Sequence, residues 1–93
     1  MDLQLQGSKA LITGGTKGIG RAIANTLADE GCNVSICARN AEEVDAAVSD
    51  LGGKGVTAFG QSVDVGDGDA LKAWVSASAD ALGGIDIVVS NVS

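Results

Sequence analysis

The sequence predicts an α/β protein, a doubly wound parallel sheet with helices on both faces. Three observations predict it. Four short apolar runs alternate with three longer segments of helical periodicity. The connections between them are short, as the crossovers of a parallel sheet are. Glycine stands after every helical segment, at Gly31, Gly52-Gly53 and Gly83-Gly84, where a left-handed residue can end a helix.

The elements follow in order. Lys9–Thr13 is a short apolar run and reads as the first strand. Gly18–Glu30 repeats Ile19, Ile23 and Leu27 at helical spacing, with Ala22 and Ala28 beside them, and Gly31 closes it. Asn33–Ala38 is the second strand. Asn40 caps the second helix, with Glu43 three residues on in capping-box spacing. Val44, Val48 and Leu51 form its buried stripe before Gly52-Gly53. Gly55–Phe59 reads as the third strand. Asp67 and Asp69 open the third helix, where carboxylates suit the dipole. Leu71, Trp74, Val75, Ser78 and Leu82 line one face of it, and Trp74 and Phe59 read as core. Ile85–Val89 is the fourth strand. The expected strand order is 3-2-1-4.

Composition narrows the function. The 93 residues form one domain at most. With 45% hydrophobic and 19% charged residues, the chain has the means to bury a core and is not disordered. A net charge of −6 argues against a nucleic-acid surface, which needs a basic patch, and against docking on anionic lipid. The first residues carry no secretory pattern, and no apolar run reaches the ~18 residues of a membrane span. Cys32 and Cys37 point to opposite sides of the second strand and cannot pair with each other. Two reduced thiols fit a cytoplasmic protein. With no His and no C-x-x-C, no metal site is expected. The chain also has no Tyr.

The informative stretch is Leu11–Ala24, "LITGGTKGIGRAIA", with four glycines between positions 14 and 20. Glycine is costly to order, but a glycine-rich turn from strand to helix lets backbone approach an anion at a helix N-terminus. A P-loop is excluded: Gly20 is followed by Arg21 and Ala22, not by Lys and a hydroxyl residue. The strict G-x-G-x-x-G fingerprint also fails, since the glycines fall at Gly14, Gly18 and Gly20.

The actual spacing, Thr13-Gly14-Gly15-Thr16-Lys17-Gly18-Ile19-Gly20, resembles the T-G-x-x-x-G-x-G motif of the short-chain dehydrogenase/reductase family. Asp64-Val65 is similar to the family's acidic-apolar pair. "IDIVVSNVS", residues 85–93, is similar to its fourth strand running into an N-N-A-G motif, with Ser90, Val92 and Ser93 in place of the first Asn, the Ala and the Gly. The landmarks keep the family's order over residues 7–93. The resemblance implies a Rossmann-type sheet holding a nicotinamide dinucleotide. The N–H groups near Gly18 and Ile19 then face the pyrophosphate, and Gly20 lets the helix pack close. It further implies that Gly14, Gly15, Thr16 and Lys17 line the adenosine side, that Asp64 and Val65 lie by the adenine, and that Asn91 approaches the nicotinamide-side ribose.

The end of the second strand selects between the two dinucleotides. An acid there favours NAD, and an arginine favours the 2′-phosphate of NADP. The sequence reads Ala38-Arg39-Asn40, with no acid before Glu42. Arg39 suits a phosphate, and the family's geometry turns Lys17 to the same pocket. NADP(H) is the expected cofactor. Arg21 is a weaker candidate that can equally face solvent.

The family's reaction is hydride transfer between nicotinamide and a carbonyl or alcohol, with a Tyr and Lys in Y-x-x-x-K and a serine at the substrate oxygen. None of that machinery is in these 93 residues, so no catalytic residue is expected among them. The chain reads as the incomplete, cofactor-binding βαβαβαβ part, residues 1–93, of a longer reductase acting on a small molecule and assembling as a homo-oligomer. A fourth strand left as an open apolar edge supports incompleteness. The alternative is a non-catalytic NADP(H)-binding module.

Overall fold

The computed structural model describes residues 6–91. The elements are β1 (Lys9–Thr13), α1 (Gly18–Asp29), β2 (Asn33–Ala38), α2 (Ala41–Gly52), β3 (Ala58–Ser62), α3 (Gly68–Leu82) and β4 (Ile87–Val89). The four strands form one parallel sheet in the order β3-β2-β1-β4. Ile12 on β1 stands level with Ile36 on β2 and Val89 on β4. This is the expected fold and strand order.

The two central strands are buried on both faces, which is why they read as continuous apolar runs. On one face Ala10, Ile12, Val34 and Ile36 pack with Ala24 and Ala28 of α1 and Ala47 and Leu51 of α2. On the other, Leu11, Cys37 and Val63 pack with Trp74 and Leu82 of α3, and Phe59 lies half-buried against them. Cys32 belongs to the first cluster and Cys37 to the second, as their spacing predicts. Burial raises the pKa of both thiols, so they stay protonated and unreactive at neutral pH.

Four local details depart from the sequence reading. The buried residues of α1 are Gly20, Ala24 and Ala28, one turn apart each, while Ile19 is 73% exposed. Small residues face the sheet because the helix is pressed against the β1–α1 loop, and Ile23 and Leu27 move to its flank. β3 begins at Ala58 rather than Gly55 and continues through Gly60 to Ser62. Gly55 is spent on a left-handed turn (φ 89°), and Gly60 sits where an added Cβ would meet Val44 and Val48 of α2 at 2.8 and 2.7 Å. β4 begins at Ile87, after Asp86 closes onto Lys9 with a backbone and a side-chain hydrogen bond. Val75 of α3 is exposed rather than in the core.

The buried serines Ser35 and Ser78 join β2 to α3. Trp74 Nε1 donates to Ser35 Oγ at 3.0 Å, and Ser78 Oγ donates to the Trp74 carbonyl at 2.7 Å. Ser78 has then spent its proton, so Ser35 must be the donor in the 2.7 Å bond between the two hydroxyls. Every buried polar side-chain atom among the described residues has a partner, as a core requires.

Candidate functional site

A cleft of about 670 Å³ opens at the C-terminal ends of the strands, where ligands bind in open α/β sheets. It is lined by Gly14, Thr16 and Lys17 of the β1–α1 loop, by Ala38 at the end of β2 with Arg39, Asn40 and Glu43 of the following loop and helix start, by Val63 and Val65 after β3, and by Asn91 after β4. Four chain segments far apart in sequence thus meet at one place.

Gly14 N–H donates to the Cys37 carbonyl at 2.8 Å, so the loop starts as a continuation of the β1–β2 ladder. Gly14 then turns with φ 67° and Gly18 with φ 58°, backbone that side chains with a Cβ rarely adopt. An added Cβ at Gly14 would meet the Asn91 carbonyl at 2.7 Å, and one at Gly20 would strike the Gly14 carbonyl and the Asn91 side chain. Gly15 faces Ile36 instead and is buried under the loop. Asn91 locks this arrangement. Its N–H donates to Thr13 Oγ1 at 2.8 Å and its Nδ2 reaches the Gly14 carbonyl at 3.4 Å.

The three helices differ at their N-termini. Asn40 caps α2 by accepting from Glu43 N–H, and Asp67 caps α3 by accepting from Asp69 and Ala70 N–H. α1 starts at Lys17 with no side-chain cap and no acid in its first turn. The open N–H groups and positive dipole end of α1 are therefore left to solvent or to a ligand anion.

The rim is charged and paired. Lys17 Nζ lies 3.0 Å from Glu43 Oε1, and Thr16 Oγ1 donates to Glu43 Oε2 at 3.5 Å. Arg39 lies 3.4 Å from both carboxylate oxygens of Asp64. Asp64 also accepts from Gly66 N–H at 2.9 Å. That backbone bond, and then the Arg39 charge, hold its carboxyl below the usual range. Arg21 is turned away: it bonds Asp50 of α2 at 2.8 Å and Asn25 at 3.2 Å, outside the cleft.

Of the residues singled out in the sequence, Gly14, Thr16, Lys17, Arg39, Asn40, Val65 and Asn91 line the cleft. Gly15, Gly18, Ile19, Gly20 and Asp64 are not among the lining residues; Gly15 and Gly20 are buried behind the loop, and Asp64 pairs with the lining residue Arg39. Val92 and Ser93 lie outside the described residues. Sequence reasoning missed Ala38, Val63, Glu43 and the locking role of Thr13. Glu43 had a visible signal, its capping-box position, but its carboxylate turns to Lys17 and Thr16. No group of three or more metal-ligating side chains is found among the described residues. No described helix is long and apolar enough to cross a membrane.

The family model described as short chain dehydrogenase matches residues 8–93. The chain belongs to the short-chain dehydrogenase family. It is 42% identical over 92 residues to an isoepoxydon dehydrogenase, patN, of Penicillium expansum, covering 96% of this chain and 36% of that protein. It is 40% identical over 83 residues to the 3-oxoacyl-[acyl-carrier-protein] reductase FabG of Staphylococcus aureus, covering 88% of this chain and 34% of the relative. Among solved structures, L-sorbose reductase from Gluconobacter frateurii, complexed with NADPH and L-sorbose, matches with a TM-score of 0.94 and 36% identity. That match covers 100% of this chain and 36% of the reductase. The short-chain dehydrogenase chain thus spans about a third of the length of these relatives.

Proposed function

We propose that these residues are the NADP(H)-holding part of a short-chain reductase that transfers a hydride between NADP(H) and a carbonyl or alcohol substrate. The observation that carries the reading is the cleft itself. An uncapped helix N-terminus and two cations from different segments, Lys17 and Arg39, border one ligand-sized space. Its volume falls in the range of ~300–1,000 Å³ usual for small-molecule and cofactor sites. The cradle at Gly14 and Gly20 has no room for a Cβ, as close approach of backbone to a phosphate demands.

In this reading the N–H groups at Gly18, Ile19 and Gly20 bind the pyrophosphate. Gly14, Gly15, Thr16 and Lys17 border the adenosine, with Asp64 and Val65 by the adenine. Arg39 and Lys17 hold the 2′-phosphate beside Asn40, and Asn91 holds the loop while facing the nicotinamide-side ribose. The bound cofactor supplies the hydride. The acid/base step falls to residues outside these 93, which include no Tyr; alone they bind and do not catalyse. The two buried thiols support a cytoplasmic location, and the family relationship supports a homo-oligomeric complete enzyme.

The test is a titration of this chain with NADPH and NADH. Wild type should prefer NADPH. Arg39→Asp should weaken NADPH binding about ten- to hundredfold, since a hydrogen bond to a charged group contributes ~1.5–3 kcal/mol, and should leave NADH binding much less affected. Equal losses for both cofactors remove the 2′-phosphate assignment.

A further inference from the structure

We infer that Glu43 sets how strongly the cleft discriminates for the 2′-phosphate, by competing with it for Lys17. The inference rests on the NADP(H) reading above and adds a residue to it. Glu43 lines the cleft together with the two cations Lys17 and Arg39. Its side chain reaches out of the first turn of α2 to the β1–α1 loop, 3.0 Å from Lys17 Nζ and within hydrogen-bond reach of Thr16 Oγ1.

The position of this carboxylate is held from below. Glu43 N–H is fixed by the Asn40 side chain at 3.1 Å, so α2 starts at a defined point and delivers the acid to the same spot. The pair itself is open to solvent, with side chains 76% and 37% exposed. An exposed pair of this kind is weak and is readily exchanged for a stronger partner. A doubly charged phosphate is such a partner. It must nonetheless settle beside a carboxylate that remains within a few ångströms, well inside the ~8–10 Å screening length of ordinary salt. Glu43 therefore lowers NADP(H) affinity selectively, while NAD(H), with a neutral 2′-hydroxyl, is nearly indifferent to it.

The experiment compares wild type, Glu43→Gln and Glu42→Gln by calorimetric titration of this chain with NADPH and with NADH, at low and high salt. The Asn40 cap uses the backbone of Glu43, so Glu43→Gln keeps the helix start, and circular dichroism checks that it does. Glu42→Gln removes the same charge from the same turn without touching Lys17. Glu43→Gln should tighten NADPH binding about three- to tenfold, an effect that shrinks at high salt, with NADH within about twofold. Glu42→Gln should leave the ratio of the two affinities within about twofold.

An unchanged or lower ratio in Glu43→Gln, with wild type still preferring NADPH, overturns the inference and spares the NADP(H) reading. An equal rise in both variants also overturns it, since net charge then explains the gain. Wild type without preference but Glu43→Gln with one supports the role of Glu43 and removes the proposed preference of the natural chain. Absence of binding by any form overturns both.

Discussion

Gly20 is the position where one atom matters most. An added Cβ would press on the Gly14 carbonyl and the Asn91 side chain, and both are fixed by the sheet end. Gly20→Ala should destabilise the chain by about 1–3 kcal/mol, the usual range for overpacking, and should weaken cofactor binding with it; thermal melts with and without NADPH check both. Thr13 is the other anchor. Its hydroxyl accepts from Asn91 N–H and reaches the Val89 carbonyl at 3.5 Å. Thr13→Val keeps the shape and strands that N–H, at a cost of about 1–3 kcal/mol in a denaturant melt. Asp64 is set by charge rather than packing. Its folded pKa lies below the usual aspartate range, so its pairing with Arg39 is in place at neutral pH. The pairing is lost only as the pH falls through the lowered pKa. An NMR titration of the Asp64 carboxyl should show a midpoint below that of an ordinary aspartate, moving up in Arg39→Ala.

At the scale of elements, α1 gives up stability where α2 and α3 do not. Lys17 occupies an N-cap position in extended backbone (φ −141°, ψ 160°) and makes no side-chain cap. Lys17→Ser offers a hydroxyl to those N–H groups and should stabilise the chain by about 1 kcal/mol, or ~4–8 °C for a domain of this size. The same change should weaken NADPH binding, because it removes a cation and fills the anion site. A melt that does not rise would show that solvent already satisfies these N–H groups as well as a serine hydroxyl does. The elements themselves were legible in the sequence because their apolar periods and helix stops agree. The glycine loop was legible by spacing. The errors arose where a residue has two readings. The third strand reads as ending at Phe59, yet it runs on through Gly60, which marks close contact between β3 and α2. Ile19 falls in the helical apolar period with Ile23 and Leu27, yet it is exposed because Gly20 takes the buried side. Glu43 reads as a local cap, and its long-range partner Lys17 is 26 positions away, beyond what local pattern shows.

The whole molecule is asymmetric about its sheet. α1 and α2 cover one face of the inner strands and α3 the other, but β4 packs only beside β1 among the described elements. Val88 on β4 is 64% exposed, level with the buried Leu11 of β1. An unpaired, apolar edge strand is a template for another chain. The isolated 93-residue chain should therefore self-associate as its concentration rises. Val88→Lys should suppress this without lowering the melting temperature by more than a few degrees. Sedimentation velocity over a concentration series reads the association, and equal behaviour of both proteins would exclude β4 as the sticky edge.

The hydroxyl relay between β2 and α3 has a consequence for anyone watching the molecule in solution. Trp74 is the sole tryptophan, and there is no tyrosine, so its indole is the only strong near-ultraviolet emitter in the chain. It sits 1% exposed with its Nε1 proton committed to Ser35, on the side of the sheet held by α3. Its fluorescence therefore reports whether α3 is docked, and Ser35→Ala should shift the signal by leaving the indole proton without its acceptor. One chromophore thus distinguishes a chain that has lost its fold from one that has lost only its grip on the cofactor.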